Sequence, residues 1–277
     1  MDNNMKYFGS CKLKENSSPE PKRLNICGID RDIYGFEVGG GTKEYTVLLV
    51  GATKCGKSTI IDFLANFFMG VCEPKNGVIN VTIHNPVKEN FYIYSFCTAD
   101  NTVFNFIDSP SINNDSGFID KKRKQTYMKH IKEMKQNGIR INALGFVIQN
   151  HFVRLAPAEE SMLKFVTGLL KEEDIGHIIP FITYSDANIP PVLDALRTFG
   201  IAADNCLLFN NVCLNSSIKK ITDLSEMYWE NGLEDIQKGL DIVMNLQPVE
   251  LPDIPHEDVQ ATKYIEPILE NTNENIG

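Results

Sequence analysis

Eight consecutive residues, Gly51-Ala52-Thr53-Lys54-Cys55-Gly56-Lys57-Ser58, constrain this chain more than any other segment. They fit the pattern G-x-x-x-x-G-K-[ST]. They lie between the apolar run Val47 to Val50 and a segment, Thr59 to Met69, in which Ile61, Leu64, Ala65 and Phe68 share one helical face. Strand, glycine-rich turn and helix in that order are the setting of a polyphosphate-binding loop. Gly51 and Gly56 let the backbone turn tightly and approach a phosphate without a Cβ in the way. The N–H groups from Lys54 to Thr59 then open a helix, where four donors lack partners and the macrodipole favours an anion. Lys57 is expected to reach the β- and γ-phosphates, the Ser58 hydroxyl to bind Mg²⁺, and Thr59 to contact the α-phosphate. The nucleotide-binding positions expected in the loop are therefore Thr53, Lys54, Cys55, Gly56, Lys57, Ser58 and Thr59. Cys55 also stands beside a helix N-terminus and Lys57, a setting that lowers a thiol pKa.

The rest of the chain repeats the strand–helix alternation. Apolar runs occur at Val103 to Ile107, Ala143 to Ile148, His177 to Thr183 and Cys206 to Phe209. Between them lie charged segments with helical spacing, Asp120 to Lys135, Glu159 to Leu170 and Pro191 to Phe199. This predicts an α/β fold with a mainly parallel sheet covered by helices on both faces. Val78 to Ile83 and Phe91 to Phe96 read as strands with no helix before Val103, which predicts an antiparallel excursion. Glu226 to Leu246 reads as a final amphipathic helix on Met227, Leu233, Ile236, Leu240 and Val243. Three segments are expected: a flexible leader over 1–41 with a short strand near Ile33 to Val38, a nucleotide-binding domain over 42–247, and a flexible acidic tail over 248–277.

Composition narrows the function classes. A hydrophobic share of 43% over 277 residues supports a sizeable core. The formal net charge of −9 argues against a dedicated nucleic-acid binder, yet leaves room for a local phosphate nest. Seven cysteines without a close C-x-x-C pair read as neither a disulfide framework nor a zinc site, which makes a reducing cytoplasm the simplest setting. No apolar run is long enough to span a bilayer. His84 and His151 have no companions at metal-ligand spacing.

A second chemical element is Phe104 to Asp108, a strand ending in an acid. There Asp108 is placed to support Mg²⁺, and Lys57, Thr82 and Asp108 are the catalytic candidates, with Ser58, Thr82 and Asp108 as the metal set. The role of Thr82 comes from a resemblance.

The ordered set of motifs resembles the septin-related branch of P-loop GTPases, and within it the immune-associated nucleotide-binding family and its G-domain relatives. The similar stretches are Val47 to Ile61, Asp108-Ser109-Pro110-Ser111, Phe146 to Pro157, Ile182 to Asp186 with Pro190-Pro191-Val192-Leu193, and Phe209-Asn210-Asn211. The resemblance covers about residues 45–247 and implies a Ras-like P-loop NTPase with a six-stranded sheet and one antiparallel strand. It implies that Asp186 hydrogen-bonds the guanine edge, that Thr183 stands where other GTPases carry asparagine, and that Asn210 or Asn211 lies beside the base. It places Thr82 as the switch I threonine, Ser111 at the γ-phosphate-sensing position of switch II, and the two switches at about 72–88 and 109–120. GTP or GDP with Mg²⁺ are the implied ligands, and a nucleotide-dependent homodimer through the G-domain face is the implied assembly.

Two departures bear on activity. Ser111 replaces the family's D-x-x-G glycine, and Ile112 follows it, so no water-orienting glutamine is present there. Hydrolysis is expected to be slow, or completed by a partner or by a donated arginine such as Arg123 or Arg154. Three functions follow as alternatives: a GTP-dependent switch, a nucleotide-holding scaffold without turnover, and an ATPase or small-molecule kinase.

Overall fold

The structure is a computed structural model of the chain, and it describes residues 22–26, 29–35, 42–82, 90–113, 119–215 and 220–251. In chain order the strands are β1 (Lys22–Ile26), β2 (Ile29–Gly35), β3 (Lys43–Val50), β4 (Tyr92–Cys97), β5 (Thr102–Asp108), β6 (Ala143–Gln149), β7 (Ile178–Thr183) and β8 (Leu207–Phe209). The helices are α1 (Lys57–Phe68), α2 (Lys121–Gln136), α3 (Pro157–Thr167), α4 (Val192–Arg197) and α5 (Asp223–Asn245).

Val47, Leu48, Leu49 and Val50 are apolar on both faces of their strand, which suits a strand covered on both sides. β3 accordingly lies inside the sheet, parallel to β5 on one side and β6 on the other. The strand order is β1-β2-β4-β5-β3-β6-β7-β8. The neighbours β4 and β5 run antiparallel, as do β1 and β2, and the remaining pairs are parallel.

The expected six strands are β3 to β8. Two more, β1 and β2, widen the sheet from within the segment read as a leader, with β2 pairing alongside β4 from Asp30↔Tyr92 to Gly35↔Cys97. A polar network ties this addition to the sheet. Arg31 Nε donates to Ser95 Oγ at 2.6 Å and its Nη2 donates to Asn105 Oδ1 at 2.9 Å. Asn105 in turn donates to Glu44 at 3.0 Å. At the other end, residues in the expected tail also pack: Val249 bridges Ile141, and Leu251 is buried.

Side-chain alternation splits the core in two. Val47 and Leu49 face α1 and α5, while Leu48 and Val50 face α2, α3 and α4. In α5 the expected face shifts: Met227 is 41% exposed, and Trp229 takes the buried position with Ile236, Leu240 and Val243. Trp229 sets this register because its ring meets Phe63 edge-on at 4.9 Å and its Nε1 donates to Val71 O at 3.2 Å. Trp229→Ala is expected to destabilise the protein by about 3–5 kcal/mol through the cavity it leaves. Urea unfolding measures this; a loss below about 1 kcal/mol would contradict the packing.

Residues 78–82 are not the strand that their pattern suggests. Their backbone groups pair instead with side chains of α1. Asn66 Nδ2 donates to Ile79 O at 2.7 Å, and Ile79 N donates to Asn66 Oδ1 at 2.8 Å. Val81 N and Thr82 N donate to Asp62 Oδ1 at 2.7 and 2.9 Å. Apolar alternation marks a half-buried extended segment, and it does not say whether a strand or a helix supplies the hydrogen bonds.

Candidate functional site

The loop between β3 and α1 begins in close contact with β6. A Cβ on Gly51 would lie 2.5 Å from Val147 O, so only glycine fits that approach. Gly56 precedes α1 with φ 104°, and no side chain caps the helix. Its N-terminal donors are thus left to a ligand. Lys54 also takes a positive φ of 65°. The Lys57 ammonium crosses the loop and donates to Gly51 O at 2.8 Å and Ala52 O at 3.1 Å. Thr53, Lys54 and Ser58 are exposed, Gly56, Lys57 and Thr59 are half-buried, and Cys55 is buried.

Cys55 departs from the sequence expectation. Burial pushes its thiol pKa above the ordinary value, and the nearby Lys57 ammonium offsets this only in part. Desolvation of a thiolate outweighs the helix terminus and the cation here. Cys55 is a space-filling residue under the loop, its sulfur next to the face of Gly51.

Asp108 ends β5 opposite Ser58. Burial pushes its carboxyl pKa up, and Asp62 adds to the rise. Lys57 and a hydrogen bond from Ser58 act the other way. A half-buried carboxylate at a strand end, beside the serine that opens α1, fits a divalent cation, whose charge would offset that desolvation. The residues that would hold Mg²⁺ are therefore Ser58 and Asp108. The third candidate, Thr82, donates its hydroxyl to Asp62 Oδ2 at 2.8 Å.

Thr183 ends β7. It is buried, and its hydroxyl donates to Cys55 O at 2.7 Å. A Cβ on Gly56 would come within 3.0 Å of Thr183 Cγ2. Thr183 therefore joins the end of β7 to the phosphate loop. Gln149, at the end of β6, adds a second tie from Nε2 to Lys54 O at 3.1 Å. Neither Gln149 nor Asp62 is marked by sequence motif, because each acts on a main-chain group far away in the chain.

The next residues form a turn with positive φ at Tyr184 and Ala187. Asp186 is exposed there, and hydrogen bonds from the Asn188 side chain and backbone hold its carboxyl below the ordinary value. Asn150 Nδ2 also donates to Asp186 Oδ1, at 3.3 Å. Asn210 Nδ2 donates to Ser185 O at 2.7 Å, which fastens the loop after β8 to this turn. Among the described residues, Asn211 Oδ1 is buried without a hydrogen-bond partner. A cleft between this turn and α5 is lined by Ser185, Asn210 and Tyr228.

In the expected switch II, Ser109 is buried and donates to Leu49 O at 2.7 Å. Ser111 Oγ accepts from Asn113 N at 3.1 Å. Arg123 Nη1 donates to Asn113 O at 2.7 Å, so this arginine braces the turn. Arg154 is exposed. Residues 83–89 of the expected switch I and 114–118 of switch II lie outside the described residues.

Comparison with solved structures identifies the architecture. Toc33 from Arabidopsis thaliana in complex with Mg²⁺ and GMPPNP matches with a TM-score of 0.51 at 15% identity, over 76% of this chain and 89% of that one. The fold is that of a GTPase G domain. Toc33 in complex with GDP and Mg²⁺ matches with a TM-score of 0.50 at 15% identity, over 76% and 89% of the two chains. A dimerization-deficient mutant of Toc33 matches at 0.50 and 14%, over 74% and 86%. No protein-family model matches the chain, and no curated protein matches it in sequence. Among the described residues, no helix is long and apolar enough to cross a membrane.

Proposed function

We propose that this G domain binds GTP and GDP with Mg²⁺ and acts as a nucleotide-dependent switch with slow or partner-assisted hydrolysis. One observation carries the reading. The Lys57 ammonium spans a glycine loop at an uncapped helix N-terminus, beside Ser58 and the half-buried Asp108. Backbone donors and the ammonium serve the phosphates, and Ser58 with Asp108 serves the cation. Ser58 and Asp108 would hold Mg²⁺, which would supply neutralising charge at the phosphates. The guanine assignment rests on Asp186, exposed at the turn after β7, with Thr183, Asn210 and Asn211 placed around that turn.

The proposed family is the immune-associated nucleotide-binding branch, supported by the motif set and by the likeness to Toc33. The proposed assembly is a homodimer through the nucleotide face. Tyr184 and Ile189 are exposed apolar side chains beside the base turn, at 63% and 87%. The setting we propose is the cytoplasm, in keeping with unpaired cysteines such as Cys55, Cys97 and Cys213.

Competition against labelled GDP tests the reading. Unlabelled GDP and GTP are expected to displace the label at least about a hundredfold more effectively than ATP, the margin a dedicated hydrogen-bonding edge supplies. Equal displacement by ATP would move the protein to the ATPase or kinase class. A second reading, a nucleotide-holding scaffold without turnover, is favoured by Ser111 at the switch II glycine position and its side-chain bond to Asn113. Tight GTP binding with no phosphate released over many hours would establish it.

A further inference from the structure

The last residue of β6, Gln149, reaches the phosphate loop through its side chain. Its Nε2 donates to Lys54 O at 3.1 Å. Gln149 is the register partner of Thr183 across β6 and β7, so the two side chains stand side by side on one face of the sheet. Thr183 Oγ1 donates to Cys55 O at 2.7 Å. Two neighbouring strand ends therefore hold two consecutive carbonyls of the loop.

The first of these carbonyls belongs to a strained residue. Lys54 has φ 65°, a left-handed conformation that crowds a Cβ and persists only where the surroundings impose it. The Lys54 side chain is exposed, so packing does not impose it. The hydrogen bond from Gln149 to its carbonyl does. The consequence reaches the lysine of the loop. A peptide unit is planar and trans, so a carbonyl held on one side sends the next N–H to the other. With Lys54 O held at β6, Cys55 N turns back to Ala52 O at 3.3 Å. Ala52 O is also where the Lys57 ammonium donates, at 3.1 Å. The conformation of Lys54 thus bears on the carbonyl that receives the ammonium and on the direction of the N–H groups that follow.

We infer that Gln149 is a positioning residue of the phosphate site, which pins Lys54 in its left-handed conformation and so sets the loop for a polyphosphate before one arrives. This rests on the nucleotide reading above. A carboxamide suits the task. Its nitrogen donates to a carbonyl that can only accept, and it brings no charge to compete for the ligand.

The test is calorimetric titration of the full chain with GDP in the presence of Mg²⁺. Gln149→Ala is expected to weaken GDP binding about tenfold, the worth of one hydrogen bond that preorganises a site. Gln149 is half-buried at a strand end, so the urea unfolding midpoint is expected to stay at the wild-type value. Lys54→Gly supplies the discriminating background, because glycine takes a positive φ without a Cβ penalty. Relative to Lys54→Gly alone, adding Gln149→Ala is expected to cost less than about threefold. Wild-type GDP affinity in Gln149→Ala would overturn the inference. So would an equal loss in both backgrounds, which would show that the effect does not run through Lys54. Weakened binding accompanied by a lower urea midpoint would mark a merely structural residue and overturn it as well. Wild-type protein that binds no GDP would overturn the nucleotide reading itself, and the inference with it.

Discussion

Lys57→Ala is expected to lower affinity for GDP and GTP by about two orders of magnitude, the worth of a charge-assisted contact to phosphate in a partly enclosed site. The reason is geometric. The ammonium is already directed across the loop by Gly51 O and Ala52 O at 2.8 and 3.1 Å. The backbone donors left behind at the start of α1 still favour an anion, so some affinity survives. Lys57 is half-buried and touches two loop carbonyls, so unfolding stability is expected to change by less than about 1 kcal/mol. Calorimetric titration with both nucleotides reads the effect. A loss under about threefold would mean that the loop does not hold the polyphosphate.

Asp186→Asn is expected to convert base preference. A carboxylate accepts from both the ring N–H and the exocyclic amine of guanine, whereas a carboxamide offers one acceptor and one donor. The variant is therefore expected to bind GDP about a hundredfold more weakly and to gain affinity for xanthosine diphosphate, whose second ring oxygen accepts where the guanine amine donates. Asp186 is exposed, so the fold is expected to be unaffected. Competition of labelled nucleotide by GDP and by xanthosine diphosphate measures the exchange. Unchanged GDP affinity would place the base elsewhere, and the cleft between Ser185 and Tyr228 would be the next site to examine.

These substitutions address separate parts of one ligand, phosphate and base. The phosphate loop and the base turn are also physically joined, through the Thr183 hydroxyl on Cys55 O. That hydrogen bond gives the end of β7 a direct grip on the loop that opens α1. Thr183 is thereby a brace between subsites.

Much of the architecture was legible because it depends on local pattern. A four-residue apolar run, a glycine turn and an amphipathic segment define β3, the loop and α1 within about two dozen neighbouring residues. The same holds for β5 ending at Asp108 and for the helix start at Asp120, whose side chain accepts from Arg123 N, while the last helix, expected from Glu226, begins at Asp223 with Thr222 accepting from Ser225 N. Residues 78–82 were misread because alternation reports burial, and the side chains that pair with their backbone are Asp62 and Asn66, about twenty and thirteen residues away. The strand β1 was missed, and β2 was anticipated only in part by the short strand expected near Ile33 to Val38, for a related reason. Their sequence is polar, and a side-chain network running from Arg31 to Ser95 and Asn105 holds the second of them.

The chain by itself determined the covalent order of chemistry: a glycine loop, its lysine and serine, an acid at a strand end, and a second acid before Asn188. Short-range sterics and hydrogen-bonding capacity set these features, and neighbouring residues suffice to express them. Tertiary structure alone decided which groups meet across the fold. It buried Cys55 and so raised its thiol pKa, set Thr183 under the phosphate loop, and gave Thr82 a carboxylate partner on α1. Desolvation and side-chain pairing across long sequence separations depend on the packed sheet and helices, and no local pattern carries them.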